Sequence, residues 1–398
     1  MNRIDSLIKQ KCPNGVEYKT LGELGRFYGG LTGKSKEDFS NGNAVFITYK
    51  NVFLNPSLNI TPEDRVKIAD GERQHTLQYG DIVFTGSSET PEECGFSSVV
   101  TEAPKERLYL NSFCFFFRLN DEKVFCPEFA KHLFRSSSMR KQIVKTASGV
   151  TRFNVSKKLM EKVKVPIIPI EIQKEIAEIL NDMSELSVEL EAELTRRKQQ
   201  YDYYRDQLLN FERERSRIKW VTLQELCRTI TTGKLNANAK KDGGMYPFFT
   251  CDANPFRIDE FAFDGESILI SGNGSQVGHI NYYNGKFNAY QRTYVLQGFN
   301  NAIINTRYLL FYLKAYLKQY IDAFSKKGSV PYITLPMLQN FKIPVPSLTE
   351  QSKAVGILDC FDVLTNDGSK GIPAEIGARS KQYRYYCDKL LTFKERVV

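Results

Sequence analysis

The sequence predicts an α+β protein: two mixed α/β globules separated by a long antiparallel two-helix coiled coil, pseudo-twofold and circularly arranged. Three observations predict it. Residues 197–211, RKQQYDYYRDQLLNF, and residues 379–393, RSKQYRYYCDKLLTF, share nine of fifteen positions at a constant offset of 182. Two further pieces repeat in the same order: TLGEL at 20–24 with TLQEL at 222–226, and 155–180 with 333–358. Between 171 and 215 there is neither Pro nor Gly, and Ile176, Leu180, Met183, Leu186, Leu190, Leu194, Arg197, Tyr201, Tyr204, Leu208 and Phe211 recur at steps of three or four. That is close to a heptad seam. Internal repeats of this kind set the architecture before any local propensity does.

Taken in order, residues 4–10 align at an offset of 202 with the end of the long helix, so they are expected to complete the second unit by meeting the C-terminus. Residues 1–165 form the first globule. Within it, 79–88 read as a turn, a buried strand and a polar loop, 111–119 as a further strand, and 127–146 as helix. A Pro-rich joint follows, in which Pro166 and Gln173 keep the spacing of seven seen again in Pro344 and Gln351. Residues 166–217 are the repeated long helix, whose Pro- and Gly-free run 171–215 spans roughly 65 Å at ~1.5 Å per residue. Residues 218–343 form the second globule, with strands at 265–275 and 292–299 and a helix at 306–326. Residues 344–398 are the distal helical region, interrupted where DGSKGIP (367–373) adds four residues and resuming at 374–393. Two seams of similar length in one chain predict an antiparallel pair acting as a spacer.

Composition narrows the function. The chain of 398 residues carries 55 Lys and Arg against 46 Asp and Glu, a net charge of +9, which permits a polyanionic partner without requiring one. No apolar run approaches the ~20 residues of a membrane span. The N-terminus lacks an apolar signal core, which makes the cytoplasm the expected compartment. The eight cysteines form no CxxC pair and are expected to be reduced structural thiols; three scattered histidines predict no metal site.

Enzyme motifs fail on inspection. GGLTGKS (29–35) encloses three residues between its glycines where a phosphate-binding loop needs four. A Gly–Lys pair recurs at 233–234, so Lys34 and Lys234 are read as loop residues poised to touch phosphate, against the plainer reading of ordinary turns. SGNGSQVG (271–278) follows a strand, but the next residues read as strand rather than the helix a dinucleotide fold requires. DANPF (252–256) lacks the second proline of an amino-methyltransferase tetrad.

A repeated scaffold bearing two different heads matches the way proteins read duplex DNA, with reading heads set about one helical turn apart. TLGEL and TLQEL, the joints VPIIPIEIQ and IPVPSLTEQ, and the paired tyrosine-rich helices together resemble the specificity subunits of Type I restriction–modification systems. SSETPEECGFSSVV (87–100) and ILISGNGSQVGHINY (268–282) are similar to two known kinds of target recognition domain. The resemblance implies a non-catalytic subunit in which each target recognition domain reads half of a bipartite target in double-stranded DNA. It implies two methyltransferase subunits as partners, which carry S-adenosylmethionine; ATP and Mg are expected on partner subunits and no cofactor on this chain. It leaves open whether a restriction/translocase subunit joins.

Base-edge readout calls for Arg, Lys, Asn, Gln, Ser or Thr, and phosphate contact for basic or polar groups. The candidates in the first half are Lys34, Lys50, Asn51, Ser87, Ser88, Thr151 and Arg152. Those in the second are Lys234, Ser271, Asn273, Ser275, Gln276, Gln291, Arg292, Lys327 and Tyr332. Polar loop residues are more often simply solvated. Tyr203 and Tyr385 lie off the seam and are the expected docking points for a methyltransferase. Two other classes compete: a self-sufficient methyltransferase or nuclease, and a coiled-coil scaffold with two non-DNA binding heads.

Overall fold

A computed structural model describes residues 2–324 and 332–396. The chain divides into two compact units, residues 1–191 with 375–398, and residues 192–374. The division falls inside the long helix Ile170–Leu209, so its first part belongs to one unit and its second part to the other. At 40 residues the helix is shorter than the Pro- and Gly-free run, because the chain turns into a short 3-10 helix at Glu212–Glu214.

The first unit is built on a four-stranded antiparallel sheet in the order Gly25–Gly29, Cys114–Leu119, Ile82–Thr85, Ser97–Val99. Ile82–Thr85 is buried along its whole length, which explains its unbroken apolar run. The region expected as one helix at 127–146 is two, Pro127–Leu133 and Ser137–Val144, because Ser136 caps the second with its side chain. The second unit repeats the sheet as Cys227–Thr232, Thr293–Phe299, Glu266–Ser271, Ile280–Asn284, backed by the helix Thr306–Phe324.

Each repeated motif has a local physical cause. Thr20 and Glu23, like Thr222 and Glu225, form a reciprocal capping box on a one-turn helix. Each joint is one strand of a two-stranded sheet: Tyr18 pairs with Pro166, and Trp220 with Pro344. Proline is tolerated there because both strands are edges. Gln173 and Gln351 are fully buried. The amide of Gln173 accepts from the Cys126 N–H at 2.8 Å and donates to the carbonyls of Val124 and Ile168, both at 2.8 Å. Gln351 does the same with Asn305 at 2.7 Å and with Ile303 and Pro346, both at 2.8 Å.

The helical parts complete these units. In the first, Ile172, Ile176 and Leu180 share a core with Cys387, Leu390 and Leu391 from the end of the chain. The C-terminal helix runs Ile372–Leu390, and the four-residue insertion falls in the break before it. The N-terminal helix Asn2–Lys11 also meets the chain end, with Ile4 in the same core and Val16 bonded to Lys394 and Arg396. The meeting of the termini is as expected. Its place is corrected: the N-terminal helix completes the first unit, because the core it enters is the one the C-terminal helix joins. In the second unit, Tyr201, Leu208 and Leu209 pack with Ala354, Val355 and Leu358 of the helix Leu348–Asn366.

Candidate nucleic-acid interface

In both units the polar loops gather at one end of the four-stranded sheet, and glycines hold them there. Gly86 follows the strand Ile82–Thr85, and a Cβ on it would lie 2.6 Å from the Phe113 carbonyl oxygen; one on Gly272 would lie 2.4 Å from that of Arg292. The amides of these glycines donate to those same carbonyls. Gly30 and Gly233 form a second matched pair: each donates to the residue opening the next strand, Cys114 or Thr293. This corrects one expectation. Gly233 corresponds to Gly30, not Gly33, so Lys234 stands where Leu31 stands and is no counterpart of Lys34.

In the first unit the loops enclose a cleft of about 580 Å³, lined by Tyr49, Phe53, Ser87, Ser88, Glu89, Glu93, Phe113, Thr151 and Arg152. A small three-stranded sheet frames it, Ala147–Ser148 pairing with Phe153–Val155 and Phe153–Val155 with Ser87–Ser88. Four expected site residues, Ser87, Ser88, Thr151 and Arg152, thus meet in one place. Arg152 donates from Nε to the Ser87 Oγ at 3.1 Å and lies 5.6 Å from the Phe113 ring centre. Ser88 donates to Glu93 at 2.9 Å, and the Tyr49 hydroxyl donates to the Ser87 carbonyl at 2.8 Å.

Other first-half candidates lie differently. Lys50 is exposed on the helix Tyr49–Leu54. Asn51 clamps its own loop: its side chain donates to the Asn59 carbonyl and accepts from the amides of Asn55 and Asn59. The Lys34 ammonium is committed internally, to Glu72 and to the Lys67 carbonyl, each at 2.6 Å. That hydrogen bond holds the Glu72 carboxyl down at about 2. Ser87 is itself buried and acts on the cleft through Arg152.

In the second unit Ser271 is buried at the strand end, its backbone bonded to His279 and Gly278, so its hydroxyl is not on the loop surface. Asn273 is half-buried, accepts from the Cys251 thiol, and pairs with the exposed Tyr332 in a bridge matching Ser87 with Asn154 in the first unit. Ser275 and Gln276 are exposed in the hairpin that leads to Ile280–Asn284, which is a strand, as expected, and not a helix. Lys234, Gln291 and Arg292 are exposed, and the Gln291 amide donates to the Leu235 carbonyl at 2.9 Å, drawing the two loops together. Lys327 lies outside the described residues. Tyr203 and Tyr385 are 62% and 59% exposed, and each meets its neighbouring tyrosine edge-on, at 5.5 Å and 5.3 Å between ring centres.

Phe113 escapes a reading of the sequence because 111–119 looks like one strand. The strand begins at Cys114, and Asn111 accepts from the Phe113 amide in a two-residue turn that leaves the Phe113 ring 58% exposed. The Asn-Ser pair ahead of it was the available signal.

Residues 13–197 and 216–378 match a family model described as the Type I restriction modification DNA specificity domain. A putative type I specificity subunit of Mycoplasma pneumoniae is 35% identical over 239 residues, 57% of this chain and 92% of that protein. The EcoR124I/EcoR124II specificity subunit of Escherichia coli is 32% identical over 242 residues, 56% of this chain and 59% of that protein. The crystal structure of a type I restriction-modification S subunit from M. genitalium superimposes with a TM-score of 0.59 at 18% identity, over 96% of this chain and 98% of that one. At that identity the likeness speaks for the fold.

Proposed function

The chain belongs to the Type I restriction-modification DNA specificity family, and on that premise we propose that each unit reads one half of a bipartite duplex target. The observation that carries the reading is the contrast at the sheet ends. Matched glycines and matched backbone hydrogen bonds hold loops of unrelated side chains, Ser87 against Asn273 and Phe113 against Arg292, as two readers of different half-sites require. The net charge of +9 suits a polyanion.

The helices would set the spacing between half-sites and dock two methyltransferase subunits, with the edge-paired Tyr203 and Tyr385 as anchors. Methyl transfer, with its S-adenosylmethionine, would then belong to those partners, and any ATP-driven cleavage to a restriction subunit; this chain itself would need no cofactor. No helix among the described residues is long and apolar enough to cross a membrane, and the cytoplasm, where the DNA is, is the proposed compartment.

Methylation-sensitive sequencing of DNA from cells holding the partner methyltransferase, with and without this chain, tests the reading. A bipartite adenine-methylated motif that appears only with the chain is the expected result. Methylation independent of the chain would sink it and favour a scaffold with heads for another ligand.

A further inference from the structure

The first unit's cleft contains one cation whose head is fixed before any ligand arrives. The hairpin carrying it is tight: at Gly149, where φ is +152°, a Cβ would lie 2.0 Å from the Arg152 carbonyl oxygen, so only glycine closes the turn. From there the Arg152 side chain is held on two sides. Its Nε hydrogen goes to the buried Ser87 hydroxyl, and the guanidinium carbon lies over the Phe113 ring, 5.6 Å from its centre. Its two terminal nitrogens have no partner among the described residues. What remains is a planar pair of donors with its rotamer already chosen, which is the part of arginine that binds two acceptors at once.

The neighbours decide between phosphate and base. Glu89 and Glu93 line the same cleft. Two carboxylates beside one guanidinium leave the cleft net negative, a poor seat for a phosphate. Glu93 is occupied by Ser88, whereas Glu89 is exposed and has no side-chain partner among the described residues. The cleft therefore offers a donor pair and a free acceptor. In the major groove a G·C pair shows the complementary set: the N7 and O6 acceptors of guanine, then the amino donor of cytosine. An A·T pair places a donor where guanine has O6, opposite the arginine.

We infer that Arg152 is a specificity-determining residue that reads a guanine in the half-site of the first unit, with Glu89 accepting from the amino group of the paired cytosine. Ser87 and Phe113 are positioning residues. The inference rests on the half-site reading above and adds to it the base pair and the atoms.

The test is the same methylation sequencing, with the wild-type chain, Arg152→Ala, Glu89→Gln and Ser87→Ala in the presence of the partner methyltransferase. In Arg152→Ala one G·C position of one half-site is expected to accept other bases, discrimination there falling roughly 5- to 100-fold, while the other half-site keeps its sequence. Glu89→Gln relaxes the same position more weakly, since Arg152 still selects the purine. Ser87→Ala relaxes it partly by freeing the arginine head. Uniform loss of methylation at every site, with base preference intact, would identify a phosphate contact and overturn the assignment. So would an unchanged motif in Arg152→Ala. A wild-type chain that yields no motif overturns the half-site reading itself, and is recognised before any variant is compared.

Discussion

The two units use one backbone and two different clasps. In each, a buried glutamine ties the joint to the start of a helix by the same three hydrogen bonds, and a tyrosine from the repeated helix packs alongside. Around that tyrosine the chemistry parts. In the first unit His132 is 2% exposed, with Nδ1 2.8 Å from the Tyr383 hydroxyl and Nε2 2.7 Å from the Asn181 Oδ1. Glu128 accepts from the Asn181 amide nitrogen, which turns Oδ1 toward the imidazole. Nε2 must then donate, Nδ1 must accept, and Tyr383 supplies the proton. The second unit has Arg307 and Asp359 paired, and Phe311 near the Arg307 head. There Tyr201 uses its ring, against Phe361 at 6.3 Å. The lesson is that tyrosine, polar at one end and apolar along its body, lets one repeated helix fit two sockets. Positions that satisfy backbone groups had no such freedom.

The largest break in the comparison should come from the shared element. Gln173→Leu or Gln351→Leu takes the partner from one half-buried amide, one half-buried carbonyl and one buried carbonyl. Each is expected to cost about 3 to 5 kcal/mol by urea denaturation, similarly in both units. A loss below about 1 kcal/mol in either would show that the joint relaxes around the gap.

The next effect belongs to the first unit alone. Burial pushes the His132 imidazole down to about 4. Between roughly pH 6.5 and 4 the unfolded chain takes up a proton that the folded unit refuses, so stability rises with pH across that window and falls on acidification. The loss at this group should be about 2 kcal/mol between pH 7.5 and pH 5. His132→Phe, which copies Phe311 (each six residues past the amide bonded to the buried glutamine, Cys126 or Asn305), should cost about 1 to 3 kcal/mol at pH 7.5 by stranding Tyr383 and Asn181, and should flatten that part of the pH profile. Parallel profiles for the two proteins would refute the assignment.

The second unit's clasp should matter less. Arg307 and Asp359 are each 37% exposed, and Asp359→Asn should cost no more than about 1 kcal/mol, the loss shrinking in salt. A larger, salt-independent loss would mean the pair is more enclosed than its exposure indicates. Smallest of all, Tyr203→Ala with Tyr385→Ala should move stability by less than about 0.5 kcal/mol per site. The same double variant should lose co-purification with the methyltransferase. Retention at the wild-type level would remove these tyrosines from the docking surface.

Much of this was legible before folding. The two-unit plan, the meeting of the termini, the strand–loop character of 265–275 and the joints follow from repeats and periodicity. The capping boxes at Thr20 and Thr222 were also written in Thr-x-x-Glu spacing. The loops were less legible. Lys34 and Lys234 look equivalent in the sequence, yet one is locked to Glu72 and the other is exposed at a different position in the fold. Ser271 looks like a loop donor and is buried, because whether a strand's last residue faces the core or the solvent depends on its pairing register, here with Thr293.

The sequence by itself determined the repeated scaffold, because a buried glutamine, a capping box or a proline on an edge strand answers to backbone geometry a few residues away. Only the tertiary structure decided which helix completes which unit, which tyrosine bonds and which merely packs, and that Arg152, Ser87, Phe113 and Glu89 share one cleft. Those relations join residues tens to hundreds of positions apart. Each turns on side-chain direction and burial, which no local pattern in the chain encodes.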